Sequence, residues 1–254
     1  MLITPIYNGQ GLGNQLACYI TTRCLSLDKG YDFKVMFPER FKGHFFKDID
    51  LSSIAPIEHD EGKPFEMDGM TYYREETSDY DPFVMNIPDN YILHGNLQGV
   101  KYFEKHKKEI DKWLKVDKLD MPDDLCVINF RGGEYVGVKE FFLPYEYWYN
   151  AIENIRKINK NMKFEVHTDD PETAKIFFPY YPIIKDIELN WRSIRYAKYL
   201  ILSNSSFAIL PAWLNDDAKL IIAPKYFARY NEDYWFLEQN FVPKFTYQDK
   251  GGNL

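Results

Sequence analysis

The segment from Leu125 to Ala223 alternates short apolar runs with helically spaced stretches, and that alternation leaves few folds open. The runs at 125–130 (LCVINF), 163–168 (KFEVHT), 199–203 (YLILS) and 219–223 (KLIIA) have the length of buried strands, with a weaker one at 182–185. Between them lie four predicted helices: Pro144–Lys157, 171–178 with Pro171 at its favoured first position, 188–198, and one opening at Asn204, Ser205 and Ser206 and running to Leu214. Strands alternating with helices imply a doubly wound parallel sheet. Such sheets bind ligands beyond the carboxyl ends of their strands, so the residues that follow each strand carry the functional information.

Three such strand ends stand out. The first strand ends in Arg131, followed by Gly132, Gly133 and Glu134. A guanidinium there suits a phosphate, because its planar fork donates two parallel hydrogen bonds. The strand 199–203 leads into Asn204, Ser205 and Ser206, which read either as plain helix caps or as hydroxyls and backbone N–H groups at an anion-binding helix start. Asp169 and Asp170 follow the strand 163–168; they read as acceptors for a base or ribose, or as the cap of the helix that Pro171 begins. The five histidines show neither HxH nor HExxH spacing, so no metal site is predicted.

The first half opens with a strand at 2–7, a glycine-rich stretch NGQGLGNQL at 8–16, and a helix through ACYITTRCLSL. Strand, glycine loop and helix together suit an anion or a sugar near a helix N-terminus. Gly9, Gly11 and Gly13 give GxGxG, with Asn14 where a dinucleotide fingerprint needs glycine or alanine, and no Lys-Ser/Thr follows as in a P-loop. Strands are expected at 33–37 and 91–94, irregular structure of loops and short helices from Pro38 to Asp89, and a helix from Lys101 to Val116. The polar, proline-bearing LDMPDD at 119–124 is the expected domain boundary, giving domains 1–121 and 122–254. The aromatic stretch from Tyr226 to Asn240 is expected to pack back across the domains.

A net charge of -7 argues against nucleic acid as a partner, since a phosphate backbone needs a basic footprint. Cys18, Cys24 and Cys126 sit in apolar surroundings without CxxC spacing and read as reduced core thiols. No stretch approaches the ~18 consecutive apolar residues of a membrane span. The opening MLITPIYNGQ has no charged segment leading into an apolar one, so a soluble, cytoplasmic protein is expected. Aromatic residues make up 17% of the chain; Tyr135 and Trp148 read as packing residues, not as sugar-stacking ones.

Five separated motifs then suggest a family. GQGLGNQL at 9–16, HGNLQGVKYF at 94–103, NFRGGEYVG at 129–137, HTDDPETAK at 167–175 and SNSSFAILPAWLN at 203–215 resemble, in the same order, motifs of the α-1,2-fucosyltransferases of glycosyltransferase family 11. The resemblance implies an α/β, GT-B-like fold of two Rossmann-like domains facing a cleft. It implies an acceptor-side first domain, a second domain that binds the nucleotide sugar, inversion at the sugar carbon, and no cofactor or metal beyond the GDP-sugar donor. The implied activity moves L-fucose from GDP-fucose to a hydroxyl of a galactose-containing glycan. Another nucleotide sugar, or an inactive nucleotide- or carbohydrate-binding protein, is the alternative.

On this reading Arg131 and Glu134 are catalytic-site residues. Gly11, Gly13, Asn14, Gln15, Arg131, Asp169, Asp170, Asn204, Ser205 and Ser206 contact the donor. Glu134 and Glu140 are the carboxylates nearest the core strand, Glu134 reads as structural or donor-binding, and the general base stays open. The chain departs from the family pattern at four places: Asn129 replaces a histidine, Gly132 an arginine, Glu134 an aspartate, and Ile209-Leu210 a tryptophan pair.

Overall fold

The structure, a computed structural model, describes residues 1–54, 69–77, 79–228, 230 and 241–254. The chain divides into two compact units, Met1–Val116 and a second from Asp117 onward that includes Val242–Leu254. Both are α/β units on parallel sheets, the composition that the sequence reading requires.

The first unit contains β1 (Leu2–Pro5), α1 (Leu12–Lys29), β2 (Phe33–Met36), β3 (Thr71–Arg74), α2 (Pro82–Met85), β4 (Tyr91–His94) and α3 (Lys107–Trp113). Its sheet runs β2-β1-β4-β3, all parallel. β1 is buried along its whole length because both of its faces are covered. On one face α1 packs over β1, β2 and β4, and Thr4 Oγ1 donates to Cys18 Sγ at 3.3 Å. On the other, Ile3, Met36, Phe37 and Ile92 form an apolar cluster. Two expectations need correction. β3 lies in the stretch read as loops and short helices, where the short α2 fits the reading and a strand does not. The helix expected from Lys101 to Val116 is instead two 3-10 turns followed by α3, with the buried Phe103 breaking the helix at φ -140° and ψ 0°.

The second unit contains β5 (Leu125–Phe130), α4 (Tyr145–Ile158), β6 (Lys163–Thr168), α5 (Pro171–Phe177), β7 (Ile183–Ile184), α6 (Ile187–Tyr196), β8 (Tyr199–Ile201), α7 (Ser206–Leu214), β9 (Leu220–Pro224) and β10 (Thr246–Gln248). The sheet order is β10-β9-β8-β5-β6-β7, again all parallel. β10 closes one edge beside β9, so this part of the tail belongs to the second unit. Residues 229 and 231–240, most of the aromatic stretch expected to pack back, lie outside the described residues.

Alternation along β5 sends Cys126, Ile128 and Phe130 into a core completed by Trp148, Ala151 and Ile155 of α4. Phe130 is the hub of an aromatic cluster, with the rings of Phe142, Trp148, Phe177 and Phe178 centred 5.3–6.0 Å away. Truncating such a ring costs about 3–5 kcal/mol, so the end of β5 is held firmly. Much of the aromatic content is therefore core. The three cysteines are free thiols, and all are buried. Burial pushes the Cys18 thiol up to about 11 and the Cys24 thiol up to about 12. Among the described residues no helix is long and apolar enough to cross a membrane.

Candidate functional site

In the second sheet the chain steps outward from β5 to β6 and β7, then returns to the far side of β5 to lay down β8, β9 and β10. The order reverses between β5 and β8. In open parallel sheets that reversal leaves a crevice at the strand carboxyl ends, and ligands bind there. Arg131 leaves the end of β5, and Ser203 to Ser206 leave the end of β8. The two ends are stitched together by a buried hydrogen bond, in which Ser203 Oγ donates to Asn129 Oδ1 at 2.8 Å. Asn129 thus ties strand to strand across the switch point.

Residues 127, 129 and 131 share one face of the strand by alternation, opposite the Phe130 cluster. The Arg131 guanidinium is spread between two carboxylates. Its Nη1 pairs with Asp169 Oδ2, and its Nη2 donates to Glu134 Oε1 at 2.9 Å. Its carbon lies 5.3 Å from the ring centre of Tyr135. Asp169 also accepts the Gly132 N–H at 3.0 Å, so one carboxylate sets both the turn and the arginine. Asp170 accepts the Gly133 N–H at 3.2 Å and caps α5 through the Thr173 N–H at 3.2 Å and hydroxyl at 2.6 Å. The Thr173 hydroxyl holds the Asp170 carboxyl below its ordinary range. Both aspartates are therefore engaged by their own chain, and Asp170 follows the cap reading.

Close approach explains the two glycines. A Cβ on Gly132 would stand 2.6 Å from Asp170 Cβ, and one on Gly133 would stand 2.6 Å from Asp169 Oδ2. Gly133 also sits at φ +48°, where side chains are disfavoured. A larger side chain at position 132 would meet Asp170 in this loop.

At the end of β8 the roles divide. Asn204 Nδ2 donates to the carbonyls of Phe141 at 2.8 Å and Phe227 at 2.6 Å, fastening two loops to the crevice. Ser205 occupies the cap position of α7 without a side-chain capping bond, and the first turn, which Ser206 begins, holds no acidic residue. The N–H groups of this helix start suit an anion. α5 differs, since Asp170 and Glu172 already satisfy its start. His167 is fully buried, its Nδ1 2.8 Å from Asn190 Oδ1 and its Nε2 2.7 Å from Glu165 Oε1. It is a strand residue held by its neighbours.

The first unit repeats the logic. Its order reverses between β1 and β4, and the glycine loop leaves the end of β1. α1 begins at Leu12, inside the motif, with Gly11 as its cap residue and Gly13 buried in its first turn. The cap residue makes no side-chain hydrogen bond to this start, and the first turn holds no acidic residue. Asn14 accepts a hydrogen bond from Gln98 Nε2 at 2.7 Å, joining the first two motifs. Gln15 is buried, donating to the Arg40 carbonyl at 3.0 Å and accepting the Lys42 N–H at 2.9 Å, so it shapes the loop after β2. Glu75 accepts the N–H groups of Asn96 at 2.7 Å and Leu97 at 3.3 Å and fixes the turn after β4. At the end of β4 the His94 ring lies 4.2 Å from that of Tyr7, and its Nδ1 meets the Tyr72 hydroxyl.

Ser203, Thr173 and Glu75 were missed by sequence reasoning. Thr173 had a local signal, three residues after an aspartate cap. Ser203 and Glu75 act across long sequence separations and had none. Among the described residues no group of three or more His, Cys, Asp or Glu side chains could hold a metal ion.

No protein-family model matches the chain. The chain is similar to an α-1,2-colitosyltransferase of Escherichia coli, 28% identical over 155 residues that cover 51% of this chain and 53% of that protein. It thus spans about half the length of that relative. Among solved structures it is similar to the E. coli heptosyltransferase WaaC with ADP, with a TM-score of 0.46 and 12% identity over 89% of this chain and 88% of that one.

Proposed function

We propose that the chain is a glycosyltransferase of the fucosyltransferase type, which transfers L-fucose with inversion from GDP-fucose to a hydroxyl of a galactose-containing glycan. The observation that carries the reading is the pairing of Arg131 with the uncapped start of α7, at the two strand ends that flank the sheet's switch point. The similarity to a colitosyltransferase supports the class and favours colitose as the alternative sugar. In this reading the second unit binds the donor and the first unit serves the acceptor.

The chemistry follows from where charge moves. As the bond from the sugar carbon to the diphosphate breaks, negative charge grows on the β-phosphate. A guanidinium and helix N–H groups held there stabilise the transition state more than the ground state. In the free protein Arg131 is occupied by Glu134, whose side chain is 73% exposed. Such exposed pairs contribute about 0–1 kcal/mol, whereas hydrogen bonds to charged groups contribute about 1.5–3 kcal/mol. A diphosphate therefore displaces Glu134 readily. Asp169 keeps the fork aimed, because it also holds the Gly132 backbone. The acceptor oxygen bonds to the sugar carbon as the bond to the diphosphate breaks, GDP leaves, and the hydroxyl proton passes to a base, a carboxylate or solvent.

The test is turnover. With GDP-fucose and a galactose-terminated oligosaccharide, the protein should release GDP and form an α-linked fucoside, read from the anomeric proton. GDP binding without GDP release would make it an inactive binder. Consumption of a different nucleotide sugar would keep the class and replace the donor.

A further inference from the structure

A second recognition feature lies on the first unit, away from its glycine loop. A cleft of about 550 Å³ runs along β3 and takes its lining from Tyr73, Arg74, Glu76, Asp81, Phe83 and Tyr91 among others. β3 is the edge strand of its sheet. Tyr73 pairs with Leu93 and Thr71 with Tyr91, so the side chains of Tyr73 and Tyr91 emerge on the same face. Phe83, at the start of α2, stacks on Tyr73 with centroids 6.0 Å apart and planes at 26°, and meets Tyr91 edge-on at 6.3 Å. Asp81 fixes this aromatic floor: its Oδ2 accepts the Tyr73 hydroxyl and its Oδ1 the Phe83 N–H, both at 2.8 Å.

Phe83 is 46% exposed. Glu76, which follows β3 and lines the same cleft, is exposed, and among the described residues its carboxylate makes no hydrogen bond or ion pair. Arg74 alternates with Tyr73 and leaves β3 on the other face, where its charge acts on Tyr7 and Tyr72. The cleft thus offers an apolar ring face next to a two-oxygen acceptor, which can accept from a pair of neighbouring hydroxyls. The carboxylates Glu76 and Asp81 give the cleft negative charge, which disfavours phosphates and acidic sugars. The chemistry that fits is a neutral sugar ring, with its C–H face on the aromatic floor and its hydroxyls on the charged rim.

We propose that this cleft is a saccharide subsite that holds the neutral oligosaccharide chain of the acceptor. The proposal deepens the acceptor half of the function above and rests on that reading. The experiment is saturation-transfer NMR on the full chain with a neutral galactose-terminated trisaccharide, for the wild type, Phe83→Ala and Glu76→Gln. Among the described residues the Glu76 carboxylate makes no hydrogen bond or ion pair, so Glu76→Gln keeps the test sound if Phe83→Ala disturbs α2. The wild type should transfer saturation to the ring protons of the sugar, and both variants should lose most of it. In turnover both should raise the acceptor KM by about tenfold, the loss of one aromatic contact, with the donor KM unmoved. Wild-type saturation transfer and acceptor KM in both variants would overturn the subsite and leave the transferase reading intact. Saccharide binding that the variants abolish, in a protein that turns over no nucleotide sugar, would support the subsite and remove the transferase.

Discussion

Arg131 and Glu134 touch each other, yet the account gives them unequal weight. Arg131→Lys keeps the charge but loses the fork. Transfer should fall by on the order of a hundredfold with the fold intact, as for loss of one preorganised donor. Glu134→Gln removes only an exposed pair and should cost less than about tenfold. Steady-state kinetics on the two variants separates the roles, and an equal loss in both would make Glu134 part of the chemistry. Gly132 gives a steric prediction. Gly132→Ala forces a methyl against Asp170 Cβ at 2.6 Å and should destabilise by about 1–3 kcal/mol in denaturant melts. An unchanged midpoint would mean that the loop is free to shift. At this scale the place of Arg131 at the carboxyl end of β5 was legible, because the apolar run before it marks a buried strand. The contacts that tie Asp169 and Asp170 to Arg131, Gly132 and Gly133 were not, because they span 37 or 38 residues; the capping role of Asp170 was, because it is local.

Elements that bury continuous apolar runs were legible; of the four edge strands, β2 and the weak β7 were read and β3 and β10 were not. β5, β6, β8 and β9 lie inside the second sheet; β5, β8 and β9 show their burial as near-continuous runs, and β6 alternates at its start before its buried end. β3, with the sequence TYYR, is exposed at both ends and half-buried between, so no apolar pattern marks it. β10 is a three-residue edge strand, TYQ, and was missed for the same reason. The caps carry a pH prediction. The Asp170 carboxyl is held below its ordinary range mainly by the Thr173 hydroxyl, so its contribution to stability is present above about pH 4. That contribution is lost as pH falls through the lower folded value. Thr173→Val should move the Asp170 titration back up toward its ordinary value, as followed by carboxyl-carbon NMR. An unmoved titration would assign the shift to the Gly133 and Glu172 N–H groups instead.

For the whole molecule, the sequence conveyed two α/β halves, and the structure has two parallel-sheet units that divide between Val116 and Asp117. The account calls on no metal: transition-state charge falls to Arg131 and to helix N–H groups. Activity should therefore be unchanged in excess EDTA, and abolition with rescue by Mg²⁺ or Mn²⁺ would move the protein to a metal-dependent class. The central claim is that the β5–β8 crevice holds a guanine nucleotide diphosphate through Arg131, and ligand-dependent melting tests it most directly, because a ligand that binds the folded state raises apparent stability by mass action. The wild type should be stabilised by GDP more than by UDP, ADP or NAD, and folded Arg131→Ala should lose most of the GDP shift. A stronger response to UDP, or a GDP shift that Arg131→Ala leaves intact, would contradict the account.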